Sequence, residues 1–260
     1  GLKPINNIVD ITNYILHSFG QPMHAFDYDK IKSKKIKVQF LKEGTKFSTL
    51  DGVERELKNE DLMICDDKTP LCIAGVLGGE SSEVKNKTKN IFLESAYFNP
   101  KLVRKSSQNH QISTDASFRF ERGTDPNITV YSLKIAAKMI KELSGGKIAS
   151  KIIDIYPKKI KNTVLQLDIN RVNKLIGVSI PKKEIIKILN SLEINSKNIN
   201  DSLIELSIPP YRTDVKREAD IVEEILRIYG YNNINLSQHL GSEFLSKPSK
   251  AKIEEDFVKN

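Results

Sequence analysis

The sequence predicts an α+β protein, a mixed α/β domain followed by a small domain of the winged-helix type. Three observations carry that expectation. Apolar residues recur at helical spacing only in separated stretches, runs of strand length occupy residues 36–96, and the polar stretch Tyr156-Pro-Lys-Lys-Ile-Lys-Asn162 divides the chain. We place the first domain at 1–156 and the second at 157–235, and we expect 236–260 to be a linker and the start of a further domain.

Each element follows from local pattern. Ile5, Ile8, Val9, Ile11, Ile15, Leu16 and Phe19 fall near helical spacing, and Gly20 with Pro22 stops the run. From Lys35 the pattern alternates, so Ile36, Val38 and Phe40 share one strand face, and Leu50-Asp-Gly-Val53 supplies a hairpin turn. Leu62–Cys65 and Leu71–Ala74 are short strands leading toward Gly75-Val-Leu-Gly-Gly-Glu80. A helix follows, carrying Val130, Leu133, Ile135, Ala136, Ala137, Met139, Ile140 and Leu143, capped by Asp125 or Asn127 and closed by Gly145. The second domain has a strand at 164–169, a short helix ending at Gly177, a helix opened by Pro181, two short strands, and a last helix from about Lys216 to Tyr229.

Composition narrows the classes of function. Hydrophobic residues are 39% and charged residues 28%, an ordinary globular balance, and no apolar run approaches the roughly 20 residues of a bilayer span. With no secretory-type leader at its start, the chain is expected in the cytoplasm, with no membrane partner. Gly1 in place of an initiator methionine points to a piece of a longer protein. Two cysteines, Cys65 and Cys72, are too few for a disulfide framework and lack zinc spacing, so buried structural thiols are expected. A net charge of +8 and a pI near 9.2 favour an anionic partner such as nucleic acid, although the lysines are scattered and also fit a solvated surface.

No serine–histidine–aspartate order, nucleophile elbow or metalloprotease helix is present. What remains is a pocket built from Gly75–Glu80, Phe92-Leu-Glu-Ser-Ala96 and Ser113–Gly123, with glycines for close approach, small hydroxyls and a carboxylate in an apolar run. His24, in a loop after the first helix, either holds a water or ribose hydroxyl or is structural. Glu94 needs a partner if buried, either a cation such as Arg119 or Arg122 or a ligand hydroxyl or amine. Asp220, Glu223 and Glu224 share one side of a helical turn near Asp214. They suit a hard cation such as Mg²⁺, or else form a solvated acidic face paired with Arg217 or Arg227, with Asp214 as a cap.

Pro4–Tyr14, Gly20-Gln-Pro-Met-His-Ala-Phe-Asp27, Gly75–Glu80, Leu93-Glu-Ser-Ala96 and Thr114–Gly123 resemble the B3/B4 domain of the bacterial phenylalanyl-tRNA synthetase beta subunit. Pro209-Pro-Tyr-Arg-Thr-Asp214 through Glu223–Tyr231 resembles that subunit's B5 domain. The resemblance implies a ligase subunit whose B3/B4 domain edits, hydrolysing tyrosine wrongly esterified to tRNA(Phe) without a cofactor. It implies that Glu94 receives the tyrosine para-hydroxyl, that Gly78 and Ala116 leave space for the ring, and that Thr12, Asn13, His24 and Thr114 position the ester and its water. It also implies a Mg²⁺ at Asp214, Asp220, Glu223 and Glu224 shared with the alpha subunit of an alpha2beta2 enzyme, the ATP-dependent synthetic step belonging to that partner. An arginine pair and a glycine that commonly precede the Thr-Asp-Ala-Ser motif are replaced here by Ser106-Ser-Gln-Asn-His-Gln111. Loss of two cations near an RNA end weakens phosphate contact, so an editing-deficient tRNA-binding scaffold is the alternative.

Overall fold

The structure, a computed structural model, describes residues 2–67 and 69–234. They have the α+β class expected, in two compact units: residues 1–164 with 207–216, and residues 165–206 with the described residues from 217 onward. The stretch expected to begin a further domain, 236–260, lies outside the described residues.

In the first unit, helix α1 is Asn7–Phe19. Asn6 caps it by accepting from the Val9 amide (2.9 Å), and Gly20 ends it at φ 68°, a left-handed conformation that glycine adopts without side-chain strain. The strands are β1 Met23–Asp27, β2 Ile36–Phe40, β3 Lys46–Ser48, β4 Glu54–Glu56, β5 Leu62–Asp66, β6 Thr69–Ile73, β7 Leu77–Gly78 and β8 Ile91–Ser95. Three helices follow, α2 Pro100–His110, α3 Asp115–Arg122 and α4 Thr129–Ser144.

Strands β2-β5-β6-β7 form an antiparallel sheet, β3-β4 the expected Asp-Gly hairpin, and β1-β8 a two-stranded ribbon. The face expected inward on β2 is only partly covered: Ile36 packs against the main core, whereas Val38 (56% exposed) and Phe40 (51%) face solvent. The main core gathers Phe26, Phe47, Leu57, Met63, Ile64, Ile73, Val103 and Phe120. Each fully buried Ile, Leu, Met or Phe contributes about 1.5–3 kcal/mol. Both cysteines lie in this core as free, buried thiols, as their number and spacing implied.

Helix α4 departs from expectation at its start. Its N-cap is Ile128, with no side-chain cap, while Asp125 accepts from the Asn127 amide (2.9 Å) in a turn just before it. Thus the Asp-Pro-Asn segment bends the chain rather than closing the helix. Gly145 does end it, at φ 66°.

The remaining elements are β9 Thr163–Asp168, α5 Ile169–Ile176, α6 Lys182–Ser191, β10 Asn195–Asn198, β11 Leu203–Ile208 and α7 Glu218–Tyr229, all in the second unit except the first two residues of β9 and the last two of β11. The expected two-stranded hairpin is part of a three-stranded sheet, order β10-β11-β9, since the preceding strand adds to it. Leu167, Val172, Ile180, Ile185, Leu189, Ile194, Ile204, Leu206, Ile221 and Ile225 fill its core, each no more than 1% exposed. Pro181 stands at the N-cap of α6, one residue ahead of the first turn, and its carbonyl accepts from the Ile185 amide (3.1 Å).

Candidate active site

The ribbon decides where the chemistry sits. His24 was expected in a loop; it lies on β1, in register with Glu94 on β8. Side chains alternate across a strand, and directly opposed residues share a face with Cβ atoms about 5 Å apart. Met23, Ala25 and Leu93 therefore face one side, where Met23 and Leu93 pack with Ile11 and Ile15 of α1 and Ala136 of α4. His24, Glu94, Phe26 and Phe92 face the other side, toward the main core.

On that face the His24 ring meets Phe26 edge-on, with centroids 4.4 Å apart. Gly78 lies against the imidazole: a Cβ there would stand 2.6 Å from His24 Cε1 and 2.9 Å from Nε2. Side-chain freedom is not the reason for this glycine; the approach of another side chain is. Gly78 is in turn paired with Cys72 across β6 and β7 and accepts from the Leu50 amide (3.0 Å).

Two titratable groups stand here without compensation. His24 Nε2 is buried and has no hydrogen-bond partner among the described residues, and burial pushes the imidazole down to about 4. Glu94 keeps part of its surface open, yet burial of its carboxyl raises it to about 8. The cations weighed as its partners are engaged elsewhere: Arg119 with Asp115 (3.2 Å) and Arg122 with Glu121 (2.5 Å). At neutral pH the site thus offers a neutral imidazole facing a carboxylic acid. Burial, and secondarily the charge of Glu94, push the Cys72 thiol well above its ordinary range.

Thr114 caps α3 in a reciprocal box with Ser117: its Oγ1 accepts from the Ser117 amide (3.0 Å), and its own amide donates to Ser117 Oγ (2.9 Å). The same hydroxyl donates to the Val76 carbonyl (2.9 Å), tying α3 to the glycine segment. One lone pair remains on it. Ala116, one turn-residue in, packs partly buried on the main core. Thr12 is buried on α1 and donates to the Val9 carbonyl (2.8 Å), which leaves it only accepting capacity. Asn13 lines a shallow recess with Leu2, Pro4, Tyr14 and His17. The structure therefore brings His24, Glu94 and Gly78 together directly and links Thr114 to them through Val76, whereas α1 packs on the opposite face of the ribbon through Ile11 and Ile15.

Cys72 and Phe26 are neighbours of this pair that spacing did not reveal. Their positions depend on cross-strand register, and their own sequence surroundings carry no signal beyond short apolar runs.

The segment 106–111 is the end of α2 with its C-cap Gln111. It closes around Asp61, which is fully buried: Ser106 Oγ donates to Asp61 Oδ1 (2.7 Å), and His110 Nε2 lies 2.6 Å from Oδ2. Arg55 donates to the His110 carbonyl (3.0 Å). These residues have a structural task at the position where the resemblance would put arginines.

The acidic group of the second domain behaves otherwise. Asp220 pairs with Arg217 (2.9 Å) and accepts from its amide (2.8 Å), and Glu224 pairs with Arg227 (2.8 Å). Asp214 pairs with Arg212 (2.8 Å) instead of capping α7, whose N-cap is Arg217. Among the described residues no group of three or more His, Cys, Asp or Glu is placed to hold a metal ion.

Residues 1–145 match the B3/4 domain family and residues 165–231 match the tRNA synthetase B5 domain family. The chain belongs to the B3/4 domain family. Relatives of this B3/4–B5 chain include the phenylalanine–tRNA ligase beta subunit of Bacteroides fragilis, 51% identical over 247 residues, covering 95% of the chain and 30% of that protein. The namesake from Geobacter metallireducens is 40% identical over 260 residues, covering 100% of the chain and 32% of that protein. The chain thus spans about a third of the length of the curated relatives it matches. An N-terminal fragment of the phenylalanyl-tRNA synthetase beta-subunit from Pyrococcus horikoshii covers 86% of the chain, and the chain 65% of it, at 19% identity and a TM-score of 0.43, too distant to add to the assignment.

Proposed function

We propose that the chain, as part of a phenylalanine–tRNA ligase beta subunit, hydrolyses the ester of tyrosine misattached to tRNA(Phe). The observation that carries this reading is the Glu94 carboxyl, desolvated and without a cation or hydrogen-bond partner among the described residues, opposite His24. Such a group costs stability unless a ligand completes it.

Below about pH 8 Glu94 is a carboxylic acid, able both to donate to a phenolic oxygen and to accept from a phenolic O–H. A phenylalanine ring would leave it unpaired, and sites built around a substrate hydroxyl reject the analogue lacking it by roughly 10⁴. Gly78 and Ala116 are the small residues beside the ring. An aminoacyl ester is already activated, so holding a water in line suffices without a nucleophilic side chain. His24, with a pKa near 4, is a weak base at neutral pH, and its task in this reading is to orient that water. The free lone pair of Thr114, tied to the glycine segment through Val76, serves to position the ester, whereas Thr12 and Asn13 lie on the helix packed against the other face of the ribbon and take no part in this reading.

The test is ester loss from tyrosyl- and phenylalanyl-tRNA(Phe) with the native chain and with His24→Ala. The tyrosyl ester is expected to be lost faster with the native chain than without protein, and the variant to lose most of that acceleration. No acceleration by the native chain overturns the reading. For the B5 part, Mg²⁺ held by Asp214, Asp220, Glu223 and Glu224 requires further oxygens from the alpha subunit. The chain alone is expected to release Mg²⁺ on gel filtration, and stoichiometric retention overturns the shared site.

A further inference from the structure

Lysines that look scattered in sequence converge in space. Residues 27–35 and 83–90 hold seven lysines against three carboxylates, about half of the net charge of +8. The two stretches are joined by Tyr28 N donating to the Asn90 carbonyl (2.9 Å) and by Thr88 Oγ1 donating to Asp27 Oδ2 (2.8 Å). Between them lies a recess of about 650 Å³ lined by Asp27, Lys30, Lys85, Asn86, Lys87 and Thr88.

The acidic groups nearby are already used. Asp27 also accepts from the Asp29 amide (3.0 Å), Asp29 from Asn90 Nδ2 (3.2 Å), and Glu83 pairs with Lys85 (3.2 Å). Lys30, Lys87 and Lys89 are exposed and form no ion pair among the described residues. The lining has no apolar side chain, unlike the core of a protein–protein interface. Exposed ammonium groups around an open polar recess fit phosphates, whose neutralisation releases counterions.

The recess also has a fixed relation to the candidate site. Asp27 is three residues along β1 from His24, about 10 Å at the rise of a strand.

We propose that this recess docks the RNA phosphate backbone leading to the esterified 3′ end, with Lys30, Lys85 and Lys87 as its principal contacts. This rests on the deacylase reading for the position of the ester. Binding of uncharged tRNA(Phe) transcript to the 260-residue chain, followed by fluorescence anisotropy between about 50 and 200 mM salt, tests it. The triple variant Lys30→Ala, Lys85→Ala, Lys87→Ala is expected to bind at least about tenfold more weakly at the low-salt end. Its slope of log affinity against log salt should be shallower by about 2, from roughly 0.7–0.9 per phosphate lost. The corresponding triple arginine variant should keep the native slope, as should Lys134→Ala, Lys138→Ala, Lys141→Ala on α4. An unchanged slope in the first variant overturns the proposal, as does equal competition by poly-glutamate, which would mark a docking surface for an acidic protein. Hydrolysis of a tyrosyl ester of adenosine separates the two readings. The first variant should retain it, whereas its absence from the native chain counts against the deacylase alone.

Discussion

Glu94 on the β1–β8 ribbon and Glu224 on α7 are carboxylates read from the sequence as candidate ligands, yet the fold treats them oppositely. Glu224 is paired with Arg227 on a helix surface, and its neighbour Asp220 with Arg217. Glu94 faces His24 from a strand whose reverse side is packed by α1 and α4, and among the described residues neither His24 Nε2 nor the Glu94 carboxyl has a partner. On α7 the largely buried carboxylates, 16% and 12% exposed, each have an arginine to satisfy them, whereas an unpaired desolvated carboxyl is a standing cost. In the proposed function that cost is offset when a substrate hydroxyl meets the carboxyl.

Breaking the buried member should have the largest effect. Glu94→Ala is expected to reduce the preference for the tyrosyl over the phenylalanyl ester by at least about 100-fold, measured as the ratio of deacylation rates. A ratio equal to that of the native chain removes Glu94 as selector.

Next in size is pH dependence. Glu94 titrates near 8 in the fold against 4.5 ordinarily, so the folded state holds a proton that the unfolded chain releases. Stability therefore falls as pH rises from about 4.5 to about 8, by on the order of a few kcal/mol. His24 titrates near 4 against 6.5, so stability falls as pH drops from about 6.5 to about 4. Glu94→Gln should flatten the alkaline limb and His24→Gln the acid limb in thermal unfolding across pH. Limbs that persist unchanged in both variants would contradict the desolvation account.

Thr114→Ala probes the link between α3 and the glycine segment. Loss of its cap and its bond to Val76 is expected to cost about 1–2 kcal/mol in denaturant unfolding, with Thr114→Ser restoring most of it. Smallest is the paired helix face. Glu223→Gln with Glu224→Gln should move the melting temperature by no more than about 3 °C and leave deacylation unchanged. A large loss of deacylation there would erase the contrast between the two regions.

Much of the architecture was legible because its signals are local. Periodicity and the left-handed glycines at 20 and 145 bound α1 and α4, and Asp51-Gly52 closed the β3–β4 hairpin. The candidate residues were legible as chemical types, since a carboxylate after Ile91-Phe-Leu93 announces itself in any context. Local pattern failed where the deciding contact was distant. His24 reads as a loop residue until β8 pairs with β1, and 106–111 reads only as a segment lacking two arginines until Asp61, far back in sequence, draws Ser106 and His110 inward.

The sequence by itself determined the two-part α+β layout, the free buried thiols and the identity of the groups able to do chemistry, because spacing and residue type set those. Tertiary structure alone decided that His24 opposes Glu94, that Gly78 must be glycine because an imidazole lies against it, and that two lysine stretches form one recess. The physical reason is register: an antiparallel ladder assigns neighbours by hydrogen bonds between segments far apart in the chain, and burial of the face it creates sets the proton affinity of what lies on it.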